Sequence, residues 1–152
     1  MATTITASTL AVDIAETITL NGVARNSATS MTIASIGEIH NRIMRVESST
    51  NGTGIFDVAA ANPGAGSFVR GNFEYCRITN LDDTNFIIIQ FTDESSHYWE
   101  LMLEAGKTLM FGDVSSVDDQ ADIDNFSAST ITKVIAKADT ADVDIEVYIA
   151  SL

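Results

Sequence analysis

Two histidines, one cysteine and several clusters of carboxylates are the side chains of this 152-residue chain that could do chemistry. His97 follows Asp93 and Ser96, and together these are the residue types of a nucleophilic triad. Residues this close in sequence read instead as one turn, and no Gly-x-Ser-x-Gly elbow accompanies them. His40 stands two residues from Arg42, with no acid or nucleophile in the same short run. Cys76 lies in the apolar stretch Phe73-Glu74-Tyr75-Cys76-Arg77-Ile78, where a thiol is a small buried hydrophobe rather than a nucleophile. One cysteine and two distant histidines give no zinc-ligand spacing. No catalytic residue, metal ligand or cofactor is therefore assigned.

The carboxylates pose a different question, because hard oxygen ligands are what calcium takes. Asp118, Asp119, Asp122 and Asp124 crowd one segment. That segment lacks the EF-hand pattern, since Ile123 stands where the glycine of the loop would be needed. The reading is a solvated acidic stretch without a metal. Asp142, Asp144 and Glu146 recur with period two and so line one face of a strand, again as a solvated row. Tyr98 and Trp99 invite a sugar-stacking reading, but neighbours on a strand point to opposite faces and cannot form one platform. Trp99 aligns with Leu101 and Leu103 and is expected in the core.

The elements that must carry these residues are strands. Ile, Val and Thr supply 17, 10 and 17 residues, whereas Leu supplies seven. Branching at Cβ restricts rotamers in a helix and packs well on a pleated surface. The first twenty residues alternate loosely through Ile5, Leu10, Val12, Ile14, Ile18 and Leu20, ending at the turn dipeptide Asn21-Gly22. Runs follow at 31–36 and 38–46, with a bulge expected near Asn41 or Arg42. Residues 55–58 form another run, before a small-residue loop that holds the single proline, Pro63. Residues 73–80, 85–91, 97–104 and 108–111 are separated by short turns and read as a four-stranded meander. The uniformly apolar 85–91 is expected as a central strand covered on both faces. After the acidic 113–129, runs at 130–138 and 143–149 close the chain as a hairpin. No stretch of ten residues carries a capped apolar helical stripe. The fold class expected is all-β: a single-domain antiparallel β-sandwich over 1–152, jelly-roll-like, with about eight to ten strands. Its expected core includes Ile78, Ile88, Trp99, Leu101, Ile135 and Val147.

Charge narrows the partners. The net charge is −13, and it is lopsided: residues 1–80 carry five Arg and six acids, while 81–152 carry three Lys and fifteen acids. Such a surface repels phosphate backbones and anionic lipid, so neither nucleic acid nor a membrane surface is an expected partner. The opening Met1-Ala2-Thr3-Thr4-Ile5-Thr6 lacks the basic and apolar regions of a secretory leader. The longest continuous apolar run, Phe86-Ile87-Ile88-Ile89, is too short to span a bilayer.

The stretch Tyr75-Cys76-Arg77-Ile78-Thr79-Asn80-Leu81-Asp82-Asp83-Thr84-Asn85-Phe86 resembles a hairpin motif of small virion proteins of tailed bacteriophages, marine ones in particular. The turn Leu103-Glu104-Ala105-Gly106, the strand at 136–146, the opening six residues and the segment 37–46 also fit that pattern. The resemblance implies a non-enzymatic β-sandwich structural protein of the particle, a capsid cement or decoration protein that bridges capsid subunits. It implies the protein itself, as a homotrimer, and the major capsid protein as partners. It also implies a place on the capsid surface of the virion after assembly in the host cytoplasm. The alternatives are a neck, tail or fibre-associated module, or a carbohydrate-binding adhesion module.

Residues 1–20 are poor in charge and rich in Thr and Ile, so they can serve as an N-terminal arm or as an edge strand. On the arm reading, Ile5, Leu10, Val12 and Ile14 are the apolar anchors at an interface between chains or with the capsid. On the other, they belong to the first strand of the chain's own sandwich.

Overall fold

The computed structural model describes residues 4–49, 51–61, 64, 66–112 and 130–152. Its described residues form thirteen strands and a single turn of 3-10 helix. Nine strands build two facing sheets. One sheet holds, in order, β10 (Tyr98–Leu103), β9 (Ile87–Asp93), β12 (Ile131–Ala138), β6 (Thr53–Ala59) and β7 (Ser67–Val69). The other holds β11 (Thr108–Gly112), β8 (Phe73–Asn80), β13 (Val143–Ser151) and β5 (Glu38–Val46). All pairings are antiparallel except the short β6–β7 pair.

The pairing is nested. β5 pairs with β13 and β6 with β12; within them β8 pairs with β11 and β9 with β10. This is the double-sheet jelly roll, in which a long folded-over ribbon closes on itself. The all-β sandwich expected from alternation is what the chain adopts. The four-stranded meander is not: β8 and β9 are consecutive yet lie in opposite sheets, and so do β10 and β11. Only β9 and β10 form a local hairpin in that stretch. The residues of 81–86 therefore carry the chain from one layer to the other.

The core between the sheets is aliphatic, threaded by a file of rings. Phe73, Ile78, Ile87, Ile89, Ile145 and Val147 are all fully buried. Phe56 stacks on Phe73 at 5.5 Å, Phe73 on Phe111 at 6.0 Å, and Phe111 meets Phe91 edge-on at 5.5 Å. Phe56 and Phe91 come from the five-stranded sheet, Phe73 and Phe111 from the four-stranded one, so the file ties the sheets together as well as filling space. Ile78 and Val147 lie in this core as expected. Ile88 and Ile135 do not. The period of two that buries Ile87 and Ile89 turns Ile88 outward, and Ile135 pairs on that outer face with Gln90. The β9 run is thus covered on one face only, with Ile88 37% exposed. Trp99 faces Phe91 at 5.3 Å, on the inner side, but β10 is an edge strand and leaves it 49% exposed. Leu101, beside it, is half-buried. β5 pairs with β13 in unbroken register and needs no bulge at Asn41 or Arg42: Ile39 and Ile43 face out, while Met44 and Val46 face in.

Residues 8–36 form a separate long hairpin. β1 (Ser8–Glu16) pairs only with β4 (Ser27–Ile36), and the tip is the small ladder of β2 (Thr19–Leu20) and β3 (Val23–Ala24). Asn21 and Gly22 take φ of 51° and 78°, the left-handed pair that a two-residue hairpin turn requires. A bulge opposes Ala34 and Ser35 to Thr9, and Ser35 takes φ of 64°. That bend re-aims the hairpin relative to β5, which follows immediately. Gly37 anchors the junction: its N–H donates to Ser151 O at 2.9 Å, and a Cβ there would come within 3.3 Å of the Leu152 carbonyl carbon.

Candidate interaction surface

The hairpin is held to the sandwich by its base. Leu10, Val12 and Ile33 pack with Ile36 against Tyr75, Tyr148 and Ala150, on the outer face of the four-stranded sheet. Burial pushes the Tyr75 hydroxyl above its ordinary pKa, so the ring sits there as an uncharged apolar surface. A groove lined by Leu10, Val12, Ile14, Arg77, Met110 and Tyr148 runs on between hairpin and sheet. Beyond it the hairpin is bare: Ile18, Leu20 and Val23 at the tip are each more than half exposed.

Of the predicted anchors, Leu10, Val12 and Ile14 are half-buried on the inward side of β1, and Ile5 is 78% exposed. Ile5 and Leu10 meet around a hollow with Ile36 and Ile39, at the start of β5. The segment is neither a bare arm nor a strand of the sandwich but half of a two-stranded ribbon lying on it. The anchors named from the sequence leave out Ile18, Leu20 and Val23, the exposed residues of the tip. The signal was present in the Asn21-Gly22 turn, which closes a hairpin between two apolar runs and exposes whatever flanks its tip.

The acidic row on β13 is not a row of bare charges. Asp144 pairs with Arg45 at 3.3 Å and Glu146 with Arg77 at 2.7 Å, the arginines coming from the strands on either side. Asp142 Oδ1 accepts from the Ser48 N–H at 3.1 Å. Cross-strand partners thus offset the repulsion that period two alone predicts. Asp113, Asp118, Asp119, Asp122 and Asp124 lie outside the described residues. Among the described residues, no group of three or more His, Cys, Asp and Glu side chains is placed to hold a metal ion, and no helix is long and apolar enough to cross a membrane.

The other candidates for chemistry are engaged structurally. Asp93 is buried, and its Oδ1 accepts from the N–H of Ser95 and His97 at 2.9 and 2.8 Å. Its Oδ2 lies 3.2 Å from His97 Nδ1. The aspartate and histidine of the would-be triad therefore meet, but as the cap of the β9–β10 turn, with Ser96 forced to φ of 66° within it. His40 packs edge-on to Phe68 at 5.9 Å, and Arg42 donates to Ile55 O across the layers. Burial pushes the Cys76 thiol far up, away from the reactive thiolate.

The motif Asn80-Leu81-Asp82-Asp83-Thr84-Asn85 also proves to be architecture. Asn80 is buried and donates through Nδ2 to Asn85 O at 2.9 Å and Leu103 O at 3.2 Å, while its Oδ1 accepts the Asp82 N–H at 3.0 Å. Asp82 Oδ1 accepts the N–H groups of Asn85 and Thr84 at 2.6 and 2.8 Å. These two bonds, Asn85 first, hold the Asp82 carboxyl below its usual range. Thr140 Oγ1 donates to Asn85 Oδ1 at 2.9 Å, tying the crossing to the β12–β13 turn. Six consecutive residues are thus occupied in passing the chain between layers. Comparison of the chain with known protein families, curated proteins and solved structures gave no match.

Proposed function

We propose that this is a non-enzymatic structural protein of a tailed-phage particle, a capsid cement or decoration protein at the capsid surface. The sandwich serves as a spacer, and the 8–36 hairpin docks into the boundary between subunits of the major capsid protein. One observation carries the reading: a β-ribbon held at its base alone, with Ile18, Leu20 and Val23 exposed together at its tip. An exposed apolar cluster at the tip of a narrow two-stranded element is suited to insertion into a partner's crevice, and its unpaired edges can accept strands from that partner. The likeness of residues 75–86 to phage virion proteins supports the same reading, as does the jelly roll, a fold that capsid domains share with lectins and cupins.

The test is to shorten the hairpin by replacing residues 17–26 with an Asn-Gly turn and to measure co-sedimentation with particles lacking the protein. The variant should fold with an unchanged Tm and fail to bind. Binding at the wild-type level would overturn the reading.

A second reading, an adhesion module for carbohydrate, is favoured by a groove on the outer face of the five-stranded sheet. Asn51, Gln90, Glu100 and Lys137 there surround Ile88 and Ile135, offering hydrogen-bonding groups around an apolar floor. A glycan array distinguishes the two, since a cement protein gives no sugar signal.

A further inference from the structure

We propose that the protein self-associates through β10, pairing antiparallel with the same strand of a second copy about a two-fold axis at Leu101. This inference stands apart from the capsid reading, since it concerns a different face from the hairpin and requires no phage partner.

Four strands edge the two main sheets, and they are not alike. β7 is three residues long, and β11 has five. β5 carries Arg42 and Arg45 and begins beside Ile5 and Thr6, which share a hollow with Gly37 and Ile39. β10, by contrast, reads Tyr-Trp-Glu-Leu-Met-Leu. Among the described residues it pairs with β9 on one side only. Tyr98 is 60% exposed, Trp99 49% and Met102 54%. A regular, apolar edge is the kind that proteins otherwise blunt with charge, proline or a bulge, because its unpaired N–H and C=O groups template another strand. The five residues Tyr98, Trp99, Leu101, Met102 and Leu103 leave Glu100 as the only charge within it.

That single charge selects the partner and the register. For the inner faces of two copies to lie on the same side, the two-fold must pass through a residue rather than between two. An axis at Glu100 sets Glu100 against its own copy. An axis at Met102 sets Glu100 against the partner's Glu104. An axis at Trp99 runs the pairing into the turn at Ser96, where φ is 66°. An axis at Leu101 avoids all three. It places Glu100 opposite the partner's Met102, Trp99 opposite the partner's Leu103, and Tyr98 opposite the partner's Glu104. Trp99, left half bare on Phe91 within one copy, is then covered by the partner's Leu103. The pairing is self-complementary, as an isologous two-fold interface must be, and joins the two five-stranded sheets into one.

The register makes opposite predictions for two substitutions at one exposed position. Met102→Lys faces the partner's Glu100 twice across the axis and should lower the dimer Kd several-fold at low salt. Met102→Glu sets acid against acid and should raise it at least tenfold, with Tm of the monomer unchanged in both. Sedimentation equilibrium of the full chain reads both. Leu101→Cys, at the axis, should form a disulfide-linked dimer on mild oxidation, while the buried Cys76 does not compete. A protein that stays monomeric, a trimer indifferent to both Met102 substitutions, or a failure of Leu101→Cys to cross-link in a dimer would each overturn the proposal.

Discussion

Sandwich and hairpin are written in the same β-branched and small polar residues, yet they bury them to opposite extents. In the sandwich, Val46, Ile78, Ile87, Ile89, Val143, Ile145 and Val147 lose all their solvent exposure. In the hairpin, Ile36 alone among the apolar side chains is buried, and the tip leaves Ile18 at 52%, Leu20 at 59% and Val23 at 53%. The difference is one of layers. A sheet facing a second sheet buries one side of every strand. A two-stranded ribbon on its own has no opposing layer, and such a ribbon is marginal unless something packs on it. Here only the base is packed, on Tyr75, Tyr148 and Ala150. The molecule thus divides into a part whose apolar residues hold the fold and a part whose apolar residues are spare.

Substitutions should break the two regions differently. The largest effect belongs to Phe73→Ala, which empties the centre of the ring file and should cost about 3–5 kcal/mol in denaturant unfolding. Next comes Asn80→Ala, which strands the Asn85 and Leu103 carbonyls and the Asp82 N–H and should cost about 1–3 kcal/mol. Trp99→Ala at the edge should cost about 1–2 kcal/mol, well below the figure for a fully buried ring. Smallest of all, Ile18→Ser, Leu20→Ser and Val23→Ser should each stay within about 0.5 kcal/mol in the isolated protein. A large loss of stability from these hairpin substitutions would mean that the tip is packed after all, and the division would fail.

The crossing at Asp82 adds a pH dependence to the sandwich. Its carboxyl is held below the usual range in the folded chain, so it binds a proton less readily folded than unfolded. Its contribution is present above the unfolded carboxylate pKa and is lost as pH falls through the lower folded value. Asp82→Ala should lower stability at neutral pH and flatten the decline below about pH 4 in a urea titration series. An unaltered acid limb would show that the Asx turn contributes nothing to the fold.

How much of this was legible follows from what kind of information each feature needs. The strands, the Asn21-Gly22 turn and the class of fold follow from local alternation and turn chemistry, and these were readable. The nested pairing was not, because a short turn such as 81–86 can join neighbours in one sheet or cross to the other. The long-range pairing of β8 with β13 and of β9 with β12 decides which it does, and the bonds of Asn80 and Thr140 then hold the crossing in place. Trp99 was assigned to the correct face, but depth depends on whether β10 has a neighbour, and a sequence does not state that. Ile88 goes to the core only if the apolar run 85–91 is taken as evidence of two covers, and Ile135 falls on the same outer face, opposite Gln90. Strict alternation from Ile87 and Ile89 would have turned Ile88 outward. The row of Asp142, Asp144 and Glu146 was readable as a face, whereas its neutralisation by Arg45 and Arg77 required the strand order. Alternation places Leu10, Val12 and Ile14 on one face of a strand, and that face packs toward the chain's own sheet; the exposure of the tip residues follows from the hairpin closing on itself, which alternation does not state.

Reconstruction of the intact particle by electron microscopy tests the central claim most directly. The account predicts density for the jelly roll in many copies on the head lattice, with the 8–36 hairpin seated between neighbouring capsid subunits and its tip residues Ile18, Leu20 and Val23 buried there. A single ring of copies at the neck or tail, or a hairpin pointing into solvent, would contradict it.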